Sequence, residues 1–110
     1  MFLYKKAELP KTGRRVVVTL AIRSMKSIIC PRGMGEKLRV RSARVIKIEN
    51  IDGSKSFKRA ITCDFGGVGS SLSYVVGKRV TANRLDRSSS ACGAGINCFL
   101  HKRAARDYAG

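Results

Sequence analysis

The 110-residue sequence has no tryptophan and only 6% aromatic residues, so its core has to be built from valine, isoleucine, leucine and alanine. Acidic residues are also scarce. Seven Asp and Glu stand against 23 Lys and Arg, a formal net charge of +16. So one-sided a surface repels itself and destabilises the compact state unless counter-charge is supplied. Nucleic-acid phosphates, an acidic protein surface or an anionic membrane could supply it. No apolar run is long enough to cross a bilayer. The longest, residues 16–22, is broken by Thr19 and bounded by Arg14, Arg15 and Arg23, whereas a spanning helix needs about 20 apolar residues. A secretory signal is not visible either: Met1-Phe2-Leu3-Tyr4 is followed at once by Lys5, Lys6 and Glu8. Cys30, Cys63, Cys92 and Cys98 include no Cys-x-x-Cys and are expected to stay reduced. A zinc site would have to use Cys92, Cys98 and His101. On a strand, however, Cys98 and His101 point to opposite faces, and no metal is expected.

What is present reads as one globular domain over residues 1–110. The hydrophobic share of 44% is ordinary for a folded protein. The patterning predicts a mainly β fold, β-rich α+β: a curved or partly closed antiparallel sheet with a short C-terminal helix. Residues 15–23 alternate, with Val16, Val18, Leu20 and Ile22 on one face. In residues 38–48, Leu38, Val40, Ile46 and Ile48 share a face, and Arg39, Arg41, Lys47 and Glu49 share the other. Arg44 interrupts the apolar side, which predicts a bulge or an edge there. Asp52-Gly53 predicts a hairpin, with residues 54–63 as the returning strand. Short strands are expected at 72–76 and 80–82, turning at Gly77-Lys78, and at 95–100. A helix is expected over 102–109, with Ala104, Ala105, Tyr108 and Ala109 along its inner side.

Several segments together resemble a domain of unknown function found in phage and large DNA-virus proteins, sometimes beside pentapeptide repeats. They are Leu3-Tyr4-Lys5-Lys6, Arg41-Ser42-Ala43-Arg44-Val45-Ile46-Lys47-Ile48, Tyr74-Val75-Val76-Gly77-Lys78-Arg79-Val80, and Cys92-Gly93-Ala94-Gly95-Ile96-Asn97-Cys98-Phe99-Leu100 followed by Ala104, Ala105 and Tyr108. The resemblance implies a viral setting, in host cytoplasm or nucleus or in the virion, and no particular chemistry. Two positions depart from it. Asn97 stands where a His is expected, and His101-Lys102-Arg103 open the last helix where a Ser or Thr cap and acidic residues are expected. Cations there oppose the helix dipole, and a bound phosphate would reverse that penalty; two tolerated, solvated cations are the plainer reading. The stretch around Gly95 also resembles part of the ADP-ribosyltransferase fold. Such enzymes need a nucleotide-gripping His or Arg and a catalytic Glu. Here the lone His101 follows the strand and Glu49 lies in a hairpin, so the resemblance implies degenerate chemistry.

Other candidate sites give way to simpler readings. Residues 66–71, Gly-Gly-Val-Gly-Ser-Ser, lack the Gly-Lys-Ser/Thr end and following helix of a phosphate loop and read as an inter-strand loop. Ser70, Ser88, Ser89 and Ser90 have no neighbouring base in sequence. Asp64 and Asp86 read as surface ion-pair partners, and Cys98 as a small core residue. Phe57, Phe65 and Tyr74 do not form an RNA-recognition pattern. The basic strand face stands apart: Arg39, Arg41 and Lys47, extended by Lys55, Lys58 and Arg59, with Lys102, Arg103 and Arg106 on the helix. These nine are the candidate nucleic-acid contacts, through the backbone. The expected function is a non-enzymatic, strongly basic binding module. Its partners would be nucleic acid or acidic protein surfaces, virion proteins among them. No cofactor, membrane or small-molecule substrate is expected. The alternatives are a minor capsid or virion component and a degenerate ADP-ribosyltransferase relative.

Overall fold

In the computed structural model, residues 1–23, 28–29, 37–62, 72–82 and 95–107 are described. They form the strands β1 (Phe2–Glu8), β2 (Arg15–Ala21), β3 (Lys37–Val40), β4 (Ser42–Asn50), β5 (Ser56–Phe57), β6 (Arg59–Thr62), β7 (Leu72–Val75), β8 (Arg79–Thr81) and β9 (Ile96–Phe99), then one helix, α1 (Lys102–Asp107). The β-rich fold with a short C-terminal helix is as the patterning predicts, and the sheet is antiparallel and open.

The centre is the trio β1-β2-β4. β1 and β2 pair along their full length, from Phe2 opposite Ala21 to Glu8 opposite Arg15. Each outer edge of the trio is shared by two short strands. β9 meets β1 at Tyr4 and β6 meets it at Glu8. β8 meets β4 at its start and β5 near its end. β3 lies beyond β9, and β7 beyond β6. The ladder therefore runs β3-β9-β1-β2-β4, while β3 leads into β4 across Arg41 alone. Four flat ladder steps would separate these strands by about 19 Å, yet two residues reach only about 7 Å. The sheet has to curl, and it does so without β3 and β4 pairing.

Alternation sorts the side chains between two faces. The inner face packs Leu3, Val16, Val18, Leu20, Val45, Ile48, Ile96 and Cys98 with Ala60, Tyr74 and Val80, largely the aliphatic core that the composition requires. On the outer face, α1 covers Val17 and Phe99 with Ala105 and the half-buried Ala104. The expected helix residues Tyr108 and Ala109 lie outside the described residues.

Four expectations change. First, β1, which pairs with three other strands, has no strong alternating signal, because Lys5 falls between Leu3 and Ala7 on the inner side. The Lys5 Nζ donates to the Asn97 carbonyl at 2.6 Å, so the half-buried side chain keeps its charge hydrogen-bonded. Second, the single strand expected at 38–48 is two strands broken at Arg41. Third, the bulge is not at Arg44. Thr19 faces Lys47 and Leu20 faces Val45, so Ile46 is the extra residue. Arg44 is exposed and belongs to the outer face. Fourth, the Asp52-Gly53 hairpin forms, with Gly53 at φ 76°, but the returning strand pairs with β4 only at Ser56 and Phe57. The chain then leaves as β6 to pair with β7 and β1. The turn at Gly77-Lys78 also forms, with Gly77 at φ 87°, although its flanking strands pair with β6 and β4 rather than with each other.

Candidate polyanion interface

The predicted row Arg39, Arg41, Lys47 is not a row. Arg39 is 0% exposed. Its backbone exchanges two hydrogen bonds of 2.8 Å with Ile29 on one side of β3. On the other side it faces Asn97, whose Oδ1 accepts from Arg39 Nε at 3.2 Å. Both edges of β3 are thus occupied, and a guanidinium so deeply buried is a structural group held by hydrogen bonds. The expectation that Arg39 faces solvent is corrected. Arg41 is exposed at the β3–β4 corner, and its carbonyl accepts from Ala82 N–H at 2.8 Å.

The cations that do meet are gathered by β4, β8 and the turn before β8. Arg44 lies directly opposite Arg79, and Ser42 opposite Thr81. All four point outward, because Ala43, Val45 and Val80 point in. Arg79 Nη1 donates to Ser42 Oγ at 3.0 Å, and the Ser42 and Thr81 hydroxyls lie 3.2 Å apart. The intervening turn is stitched to β4: Val45 N–H donates to the Lys78 carbonyl and Gly77 N–H to the Val45 carbonyl. Val76 N–H donates to the Lys58 carbonyl at 3.0 Å, which brings Lys58 and Arg59 alongside. Lys58 is exposed, and Arg59 Nη2 donates to Ser73 Oγ at 3.3 Å. Lys47, past the bulge, completes the outer side of β4.

Arg44, Lys78 and Arg79 were not among the expected contacts. The signal for Arg44 was present but inverted: with the irregularity at Ile46, positions 43 and 45 face in and 44 faces out. Lys78 falls in the expected turn and Arg79 between that turn and the strand expected at 80–82, so the patterning singles out neither. Neither Arg44 nor Arg79 joins an ion pair among the described residues. Like charges directly opposite on a ladder are destabilising, so this corner is under electrostatic strain that an anion would relieve.

The remaining expected contacts sit apart. Lys55 is exposed on the hairpin, its N–H bonded to Asn50 Oδ1 at 3.0 Å. On α1, Lys102 makes an ion pair with Glu49, and Lys47 Nζ lies 3.6 Å from the same carboxylate. Glu49 is 3% exposed. Burial by itself would push its carboxyl up, but the hydrogen bond and charge of Lys102, joined by Lys47, outweigh this and hold it below its ordinary value. The anion that meets Lys102 is thus supplied by this chain. Arg103 Nε is 3.8 Å from Asp107, with both groups mostly exposed. Arg106 is exposed, and its carbonyl accepts from Lys6 Nζ at 2.8 Å, a cation at a helix C-terminus.

The interior offers inert groups. Cys98 is a core residue and a free thiol. Burial pushes it up to about 12, with Lys5 pulling slightly the other way, so it stays protonated at neutral pH. Burial likewise raises the Tyr74 phenol; its oxygen has no partner at full hydrogen-bonding geometry, and the Thr62 side chain only partly offsets the shift. Among the described residues, no three His, Cys, Asp or Glu side chains gather as a metal group, and no helix is long and apolar enough to cross a membrane. Cys30, Cys63, Cys92, Asp64, Asp86, Phe65, the 66–71 loop and Ser88–Ser90 lie outside the described residues.

Fold and charge together define a small basic protein built on one curled antiparallel sheet. The chain matches the family described as a family of unknown function, DUF5758, over residues 1–105, and belongs to it. No curated protein and no solved structure gives a match.

Proposed function

We propose that this protein is a non-enzymatic module that grips a polyanion, the phosphate backbone of nucleic acid, on the outward corner formed by β4, β8 and the turn between β7 and β8. The observation that carries the reading is the exposed Arg44–Arg79 cross-strand pair, flanked by Arg41 and Lys78 and with no carboxylate of its own among the described residues. A phosphate backbone supplies repeated negative charge at a spacing these side chains can follow, and releases counterions when it binds. The family resemblance adds a viral setting, in which such a module would handle viral nucleic acid.

Affinity measured against salt tests this. With about five phosphates neutralised on duplex DNA, log affinity should fall against log salt with a slope of roughly −4 to −5. Arg44→Gln with Arg79→Gln should weaken all sequences alike and flatten the slope by about one unit per lost contact. Arg103→Gln should change neither by more than a small fraction. A salt-independent affinity, or a double variant that binds like the parent, overturns the reading. A virion component serving acidic proteins would instead copurify with particles at fixed stoichiometry without binding nucleic acid, and a degenerate ADP-ribosyltransferase relative would bind NAD.

A further inference from the structure

The outer face away from α1 holds an exposed side chain that phosphate binding leaves unused. Phe2 is 53% exposed, although its backbone is fixed in register with Ala21 and the neighbouring Met1 carbonyl accepts from Ile22 N–H at 3.0 Å. Leu3 is fully buried on the inner face, so Phe2 stands on the outer one. Past the bulge at Ile46 the pairs line up across the strands: Phe2 faces Ala21, Ala21 faces Arg44, and Arg44 faces Arg79. One row across four adjacent strands therefore reads aromatic, small, cation, cation, over about 14 Å. Ala21 carries no bulk to separate the ring from the guanidinium groups. The row lies away from Val17 and Phe99, where α1 is docked.

We propose that this row binds single-stranded nucleic acid, with a base stacked on Phe2 and successive phosphates on Arg44 and Arg79. The proposal rests on the nucleic-acid reading above and narrows it. An aromatic ring on a strand-paired backbone, exposed to water near cations, is the combination that sequence-tolerant single-strand binding uses, because every unpaired base has a π-face. A duplex hides those faces inside its stack. Duplex readout also calls for an element that enters a groove, and the six-residue α1 has its apolar side packed on the sheet. Charge complementarity fixes the occupant as a polyanion, and the aromatic fixes it as one with exposed bases.

Fluorescence anisotropy with the full chain tests this, using labelled oligothymidylate and oligouridylate of about 12 nucleotides beside a duplex of matched length. The parent should bind the single strands about tenfold tighter than the duplex. Phe2→Ala should lower single-strand affinity about tenfold and leave duplex affinity and the salt slope unchanged. Phe2→Leu, which keeps apolar bulk without a ring, should behave like Phe2→Ala, and Phe2→Trp should bind like the parent. Unchanged single-strand affinity in Phe2→Ala, or equal loss on both strand types, overturns the proposal. If the parent binds both forms equally with a steep salt slope, the stacking proposal fails while the nucleic-acid reading stands. If neither form shows salt-dependent binding, the nucleic-acid reading itself fails.

Discussion

The two ends of the outer face treat positive charge in opposite ways. Beneath α1 and on β3 the cations are spent on the fold. Arg39 is buried against Asn97, Lys102 and Lys47 converge on Glu49, and Lys6 reaches the Arg106 carbonyl near the end of the helix. At the β4–β8 corner, Arg44 and Arg79 stand opposite each other in solvent, with hydroxyls rather than carboxylates around them. The net charge is a property of the whole chain, but among the described residues the β4–β8 corner is where two cations face each other with no carboxylate partner. Counting cations therefore overstates a binding surface, and the ones that matter are those whose neighbours fail to neutralise them.

The sharpest way to break that contrast is to truncate one arginine from each end. Arg39→Ala removes a fully buried side chain together with its Nε hydrogen bond to Asn97 Oδ1. The lost packing and hydrogen bonding should cost roughly 2–4 kcal/mol of stability, read as a lower urea midpoint at unchanged slope. Arg44→Ala should shift stability by no more than about 0.5 kcal/mol, and in the favourable direction, because it relieves the like-charge pair with Arg79. Equal losses from the two variants would erase the distinction between structural and available charge.

A middle-sized effect is expected at the helix. Glu49→Gln keeps a hydrogen-bonding group but removes the charge that Lys102 and Lys47 share. The cost should be roughly 1–2 kcal/mol, kept modest because Lys102, with its side chain 42% exposed, can turn to water. Polyanion affinity should be unchanged or slightly raised, since one more negative group is gone. A large gain in affinity would instead mean that Glu49 had been masking Lys47 and Lys102 as contacts.

The same contrast explains how much could be read from the chain. The aliphatic core, the Asp52-Gly53 turn, the terminal helix and the burial of Cys98 follow from patterns confined to a few neighbouring residues. β1 escaped because one inward lysine broke its alternation, and its place in the sheet depends in part on β6 and β9, which are distant in sequence. The same non-locality hid the corner. A bulge at Ile46 rather than Arg44 reverses which side of β4 is cationic, and only the ladder register sets Phe2, Arg44 and Arg79 in line. Arg39 looked exposed because alternation says which face a side chain takes, not whether another part of the chain covers that face.

The smallest expected effect is a pH dependence confined to the helix end. The charges set against Glu49 are Lys102 on α1 and Lys47 on its own strand, and together they hold the carboxyl below its ordinary value of 4.5. A carboxylate whose pKa is depressed on folding favours the folded state whenever it is ionised in both states. That contribution is complete above the unfolded value, and it drains away as pH falls through the folded one. The parent should therefore be more stable than Glu49→Gln at pH 7, by the same margin at pH 6, and by a shrinking margin below about pH 4.5. Asp52, whose carboxyl is also held down by hydrogen bonds from Ser54, titrates in the same acidic range in both proteins, so the difference between them isolates Glu49. Urea midpoints of the two proteins from pH 7 to pH 3 provide the measurement. A margin that stays constant to pH 3 would show that the Glu49 side chain acts through its shape and hydrogen bonds rather than its charge. In that case the helix end would differ from the β4–β8 corner in packing alone.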